Sequence, residues 1–261
     1  MNFETRRRLF VQLTVRDIRS RFIGSATGWI WLFVTPLLLL AVYGFVFGLI
    51  FQARVPAGLE MPFVAWLAVA LWPWLAFSEG VLRGSQAIRQ HAALISKVSL
   101  PRALLVSSAI TAVFLLHLLG YLVVLVVLVW FLGVSIYWLA LPSLVLILLS
   151  LYLLALGLGL GLAAVQVYVR DLEQFLPTFF MFWFFMTPII YPREMVPAAL
   201  ARWLGLNPMT VWVEQIRGGL LHGQLLPGMA DAVLMFGLAA VSVFIGLMLF
   251  RRLSPFFEDF L

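Results

Sequence analysis

Side chains that could do chemistry are sparse in the apolar parts of this sequence. His117 stands alone in one long apolar segment, and Glu79 lies near the end of another, within reach of Arg83 one helical turn further on. An intramembrane enzyme would need paired carboxylates or a histidine cluster, and a proton relay would need a chain of buried acids. The sequence has neither, so we predict a structural role for Glu79 and a hydrogen bond from His117 to a neighbouring helix.

Other reactive centres are also excluded by residue type. The sequence has no cysteine, which rules out disulfides, zinc–thiolate sites, iron–sulfur clusters and cysteine nucleophiles. Its single lysine, Lys97, follows Ser96 and not the glycine that a phosphate-binding G-x-x-x-x-G-K-[ST] loop requires. We therefore expect no catalytic residues, no metal site and no cofactor on this chain.

The composition is that of an integral membrane protein. Hydrophobic residues make up 64% of the 261 residues, charged residues only 11%, and the mean hydropathy is +1.09. Soluble proteins have about a quarter of their residues charged. The net charge of +6 is carried by too few groups to form a basic face for nucleic acid, and it is better interpreted as a topology signal.

Cutting the chain at charged residues predicts one all-α integral membrane domain with six transmembrane helices. The segments are 29–51, 62–82, 103–130, 139–165, 175–191 and 232–250. The first is too long for a cleavable signal. Of the 17 Lys and Arg residues, thirteen lie in the amino-terminal segment, the second and fourth loops and the tail. Both termini are therefore predicted to be cytoplasmic.

Two cytoplasmic segments show helical patterns. In the interface segment 1–28, Arg8, Gln12, Arg16 and Arg19 share one helical face, and Phe3, Phe10 and Ile18 lie near the opposite face. This pattern predicts an amphipathic helix on the membrane surface, and a merely anchoring basic segment is the alternative. The loop 83–102 predicts a short helix broken before Pro101, which could dock on a soluble partner or bind acidic lipid. Residues 251–261 form a predicted cytoplasmic tail.

The external stretch before the last span is predicted to contain two short helices, within 196–223. Asn207-Pro208 is a strong helix start and Gly223 a plausible stop, which predicts a helix over Pro208–Leu221. A second helix is predicted around Ala198–Leu204. Both are apolar but too short to span, so we expect them to fold back into the membrane, buried by protein or lining a wet cavity.

Two further patterns leave alternatives open. Gly157 and Gly161 have G-x-x-x-G spacing, which lets helices approach closely either within one chain or between two copies. The chain also holds 10 Trp, 6 Tyr and 23 Phe. Such rings could line a channel and stack on sugar rings, or they could form interfacial belts and face lipid.

The order and spacing of several motifs resemble the transmembrane subunits of ATP-binding-cassette polysaccharide exporters, the Wzm-like family. The resemblance runs from about Arg16 to Gly223, and each motif is weak alone. Its matching positions are Arg21, Gly24-Ser25, Gly28, Trp31, Pro36-Leu37, Tyr43 and Val46-Phe47 in the first segment, Leu94, Ile95, Lys97, Pro101 and Arg102 in the coupling loop, Arg170-Asp171 before the fifth span, and TPIIYP (187–192), Asn207, Pro208 and Arg217 in the external region. Thr187 replaces the serine of the family motif.

The resemblance implies roles for particular residues. It implies a channel lined by Trp29, Trp31, Phe33, Tyr43, Phe180, Trp183 and Phe184. It implies coupling to an ATPase through Arg16, Arg19, Arg21, Leu94, Ile95, Lys97, Pro101 and Arg102. It implies an external gate that includes Pro188, Tyr191, Pro192, Asn207, Pro208 and Arg217.

The resemblance also implies an assembly and a substrate. Two copies of this chain would bind two copies of a separately encoded nucleotide-binding ATPase, which holds the ATP and magnesium, and a periplasmic export partner is expected as well. The substrate would be a lipid-linked polysaccharide of O-antigen, capsule or teichoic-acid type, moved across the bacterial inner membrane. The alternatives are export of a small amphiphile such as a drug or lipid, an intramembrane enzyme, and a non-transporting scaffold.

Overall fold

A computed structural model of the chain describes residues 2–21, 30–53, 55, 61–95 and 100–260. These residues form ten α-helices and no strand. The helices are α1 (Phe3–Ser20), α2 (Trp31–Tyr43, continued by a π-helix over Gly44–Ile50), α3 (Phe63–Gln90), α4 (Ala92–Ile95), α5 (Arg102–Trp130), α6 (Leu141–Gln166), α7 (Leu172–Met186), α8 (Ala198–Leu206), α9 (Pro208–His222) and α10 (Met229–Leu253). Short 3₁₀ turns cover Trp138–Ala140, Arg193–Met195 and Ser254–Asp259.

Five helical stretches in the described part of the chain are long and apolar enough to cross a membrane. They are Phe33–Ile50, Phe63–Gln90, Arg102–Trp130, Trp138–Gln166 and Met229–Glu258. Helix α7 is apolar but has only 15 residues, about 22 Å of rise. The all-α membrane architecture is therefore confirmed, whereas the sixth crossing stays a prediction.

Helix α3 differs from the prediction, because it continues from Phe63 to Gln90 and takes in the first part of the expected coupling loop. Close packing on α5 accounts for the longer helix. A Cβ atom on Gly84 would lie 2.6 Å from Ile110 Cγ1, so the missing side chain lets α5 approach α3 closely there. After His91 the short α4 follows, and residues 96–99 lie outside the described residues.

The glycines of α6 pack against α10 of the same chain. A Cβ atom on Gly246 would lie 2.0 Å from the carbonyl oxygen of Gly157, and a Cβ atom on Gly157 would lie 2.2 Å from the backbone of Ser242. Gly161 faces the Cα atom of Gly246. The G-x-x-x-G spacing therefore serves packing within the chain, and its face is already covered by α10.

The two short helices before the last span are present. Asn207 caps α9 by accepting a hydrogen bond from the backbone of Met209, and Gly223 ends the helix with φ = +70°, a conformation that favours glycine. Helix α8 runs two residues beyond its predicted end. Helix α9 is buried along most of its length, and Trp212 donates from Nε1 to Ser150 Oγ on α6 at 2.9 Å. Its indole therefore reaches α6 instead of water.

Candidate functional site

The side-chain amide of Asn207 connects the start of α9 to the end of α7 and to Thr187, which follows α7. The amide oxygen accepts from Met209 N at 3.1 Å and from Trp183 Nε1 at 2.9 Å. The amide nitrogen donates to Met186 O at 3.0 Å and to Thr187 Oγ1 at 2.9 Å. All four hydrogen-bonding positions of the amide are used. The residue therefore starts α9 and fixes the end of α7 at once.

Arg217 binds the backbone of the segment that follows α7. Its Nη1 and Nη2 donate to the carbonyls of Pro188 and Ile189, both at 2.7 Å. Its guanidinium lies 3.4 Å from the centre of the Trp66 ring and also donates to the Trp66 carbonyl. The residue is only 7% exposed. A buried arginine bound by three carbonyls and an aromatic face ties α9 to both α3 and the segment after α7.

These contacts form one structural unit, which we call the clamp: Asn207, Arg217 and residues 187–192. Within it, Tyr191 donates to Phe185 O at 3.0 Å, and Pro192 is buried. Pro208 is the first residue of α9. All six predicted gate residues thus lie in or beside the clamp, and their gating role stays a prediction.

The predicted channel-lining residues do not share one surface. Trp31 and Phe33 are each 50% exposed, whereas Phe180 is buried against Trp74 and Phe77 of α3. Trp183, Phe184 and Tyr43 are partly buried and pack on the core. The exposed aromatic rings of α7 are instead Phe175, Phe179, Phe182 and Phe185. Trp29 lies outside the described residues.

The predicted interface helix, α1, lies along α5 and is tied to it and to α3 by polar contacts. Asp17 accepts from Ser108 Oγ at 3.2 Å, and Arg16 Nη2 lies 2.6 Å from His91 Nε2. Since His91 Nδ1 contacts the Ala87 carbonyl at 2.8 Å, that nitrogen carries the proton and Nε2 accepts from Arg16. Arg19 is exposed.

The end of the predicted coupling loop contacts the carboxyl-terminal residues 254–258. Arg102 donates to the Ser254 carbonyl and to the Glu258 carboxylate, and its guanidinium lies over the ring of Phe257. Residues of the predicted cytoplasmic tail therefore pack on the start of α5. Pro101 precedes that helix and Ile95 is buried. Leu94 belongs to α4, and Lys97 lies outside the described residues.

A cluster of side chains around Glu79 was predicted only in part. His117 of α5 makes the predicted hydrogen bond to a neighbouring helix, and its partner is Glu79 of α3, at 2.8 Å. The carboxylate also pairs with Arg21 at 2.9 Å and with Arg83 at 3.4 Å. Burial lowers the pKa of Arg21, and the Glu79 charge opposes that shift. The spacing of four residues predicts the contact between Glu79 and Arg83, which is confirmed. The contacts of Glu79 with Arg21 and with His117 join distant parts of the sequence, and no spacing predicts them.

Within the described ranges, no group of three or more His, Asp or Glu side chains is placed to hold a metal ion. The fold is a bundle of long apolar helices with a short helix pair packed back into it, and the buried clamp joins that pair to α3 and α7. These features define a multi-pass helical membrane protein.

Comparison with known proteins identifies the family. The family model for ABC-2 type transporters matches residues 8–221. The chain is 32% identical over 241 residues to the O-antigen export system permease protein RfbA of Myxococcus xanthus, covering 91% of this chain and 88% of that protein. It is also similar to a Klebsiella pneumoniae protein of the same name (25% identity; 97% and 95% covered) and to the polysialic acid transport protein KpsM of Escherichia coli (27%; 95% of each). The chain belongs to the ABC-2 type transporter family.

Proposed function

We propose that this chain is the permease subunit of an ATP-driven exporter of polysaccharide. The observation that carries the proposal is the near full-length similarity to permeases named for O-antigen export and polysialic acid transport. The substrate is a lipid-linked polymer of O-antigen, capsule or teichoic-acid type, and the membrane is the bacterial inner membrane.

The working unit is two copies of this chain with two copies of a separate nucleotide-binding ATPase. ATP and magnesium bind to that partner, and a periplasmic partner receives the polymer. The permease crosses the membrane six times with both termini in the cytoplasm. The thirteen-to-four distribution of basic residues supports this orientation.

The path for the polymer lies where the two copies meet. Exposed rings at the start of α2 (Trp31, Phe33) and on the outer face of α7 (Phe182, Phe185) support a lining on which sugar rings stack and slide. The clamp supports an external gate, because it fixes the short helix pair to α3 and α7 as one body. Helices α1 and α4 receive the motion of the ATPase.

The test is to delete the gene and to measure surface polymer by staining and retained glycolipid by mass spectrometry of inner-membrane extracts. Deletion should remove the surface polymer and leave lipid-linked polymer inside, and the intact gene should restore export. Replacing Trp31 by leucine should lower export about twofold to tenfold through lost ring stacking. Trp138→Leu is the matched control, since both tryptophans are 50% exposed, and it should export normally.

Normal surface polymer in a deletion strain that lacks a redundant exporter would contradict the proposal and favour export of a small amphiphile. Equal losses in the Trp31 and Trp138 variants would contradict the stacking role of Trp31 while leaving the transport function intact.

A further inference from the structure

The Glu79 cluster consists of Arg21, Glu79, Arg83 and His117. Its carboxylate uses both oxygens: Oε1 lies 2.9 Å from Arg21 Nη2 and 3.4 Å from Arg83 Nε, and Oε2 lies 2.8 Å from His117 Nε2. Arg83 is on the same helix as Glu79. Arg21 directly follows α1, and His117 belongs to α5. One carboxylate therefore connects three separate elements.

The Glu79 cluster lies away from the ends of the helices that carry it. Glu79 lies twelve residues before His91 on α3, about 18 Å further along the helix at 1.5 Å per residue. The contacts of Arg16 with His91 and of Asp17 with Ser108 tie α1 near the helix ends, whereas the Arg21 contact reaches deeper into the bundle. An ionised side chain at such depth is costly unless it is paired.

A cavity of about 240 Å³ adjoins the cluster, between α2, α3 and α5. Arg21, Glu79 and His117 form its polar side, and the indoles of Trp31 and Trp72 lie on its apolar side. The cluster therefore borders the cavity on one side. On the other side, the ion pairs and the hydrogen bond of Glu79 hold its side chains together.

We propose that Glu79 is a positioning residue through which a displacement of α1 is passed to α3 and α5. The displacement comes from the partner ATPase, so this inference rests on the proposed function. Because charge-assisted hydrogen bonds from two other elements meet on one carboxylate, α1 cannot shift alone without leaving a partly buried charge unpaired. The three helices then move as one body when the ATPase changes state.

Spin-label distances in the reconstituted complex test this directly. The chain has no cysteine, so Val11→Cys on α1 and Leu118→Cys on α5 supply two labelling sites in each copy of the permease, and both positions are exposed. The distance of interest is the one between the two labels of the same copy. In the otherwise wild-type permease, the distance between the labels should stay the same with and without bound ATP. With Glu79→Gln added, it should shift or broaden when ATP binds, because α1 then moves without α5.

Export and ATP hydrolysis, measured in the same complexes, give the second readout. Glu79→Gln and Arg21→Ala should each lower polymer export about tenfold, the effect of losing one charged hydrogen bond, while ATP hydrolysis continues. Arg83→Gln is the matched control, since it removes a partner of the same carboxylate without cutting a link between elements. It should behave as wild type in both measurements.

Two results would overturn the inference: an unchanged label distance in the Glu79→Gln complex, or equal losses of thermal stability, ATP hydrolysis and export, which would indicate a merely structural anchor. If the wild-type complex moved no polymer, the proposed function would fail. The label distances need no polymer and would still decide whether Glu79 joins α1 to α5.

Discussion

Gln166 is a fully buried polar residue at the end of α6. Neither the amide nitrogen nor the amide oxygen has a hydrogen-bond partner in the part of the chain that the structure describes. A buried polar group without a partner loses its hydration and gains nothing in return, at a cost of about 1–3 kcal/mol. We therefore expect the Gln166 side chain to contribute unfavourably to the stability of the α6 end.

Replacing Gln166 by methionine, which has a similar length and no strong polar group, should raise the free energy of unfolding by about 1 kcal/mol. Thermal unfolding of the purified protein in detergent measures the change. Gln215→Met is the control, because the Gln215 amide donates to Asp231 Oδ2 at 2.7 Å and its loss should not stabilise. A lower midpoint for the Gln166 variant would show that the amide has a hydrogen-bond partner in the folded protein and would contradict the prediction.

At the residue scale, the sequence predicts local contacts and misses distant ones. The Asn207-Pro208 pair announces a helix start, because capping involves residues two positions apart. The same amide also binds Trp183, 24 residues away, and no spacing rule connects the two. Glu79 and His117 are 38 residues apart, so their pairing depends on how α3 and α5 pack.

At the element scale, the α6–α10 pair depends on glycine at position 246. An alanine there would place its Cβ atom 2.0 Å from the carbonyl oxygen of Gly157, and backbone on both helices would have to shift. We expect Gly246→Ala to destabilise the protein by about 1–3 kcal/mol, as overpacking does. Gly237→Ala on the same helix meets nothing within 4 Å and should be neutral or slightly stabilising.

Thermal midpoints of the two alanine variants, measured side by side in detergent, separate these outcomes. A normal midpoint for Gly246→Ala would contradict the close packing of α6 on α10 at this position. The comparison isolates packing, since both variants change helix propensity by the same amount.

The elements themselves were predictable where apolar runs and caps define them. Helices α5 and α9 begin and end within one residue of their predicted bounds. Helix α3 continues past its predicted end because charged residues such as Arg83 and Arg89 do not stop a helix, and α5 packs closely along it. The sequence predicts a cytoplasmic tail over 251–261 but not its contacts with Arg102 and Tyr168. Docking of this kind has no local signature.

At the scale of the whole molecule, contacts between helix ends sort those ends into two groups, one at each side of the bundle. On one side, Arg89 at the end of α3 pairs with Glu173 at the start of α7 at 2.5 Å, and Tyr168 after α6 donates to Leu253 at the end of α10. On the other side, Tyr137 before α6 donates from its backbone to Leu220 near the end of α9, and Asn207 binds the end of α7. Helix α7 therefore starts on the first side and ends beside residues of the second.

This division predicts that α7 crosses the membrane despite its length of 15 residues, about 22 Å against a hydrocarbon core of about 30 Å. The cysteine-free chain allows a direct check with a membrane-impermeant maleimide on spheroplasts. Leu226, in the loop before α10, is 72% exposed, and Phe256 lies in the docked carboxyl-terminal segment. With six crossings, Leu226→Cys should react in intact spheroplasts and Phe256→Cys only after lysis.

If α7 stayed on the cytoplasmic side, the pattern would reverse, because the loop before α10 would then be inside and the carboxyl terminus outside. The cysteine-free parent chain, treated with the same maleimide, controls for background labelling. Phe3→Cys should not react in intact spheroplasts in either arrangement. The two variants at positions 226 and 256 therefore decide the number of crossings.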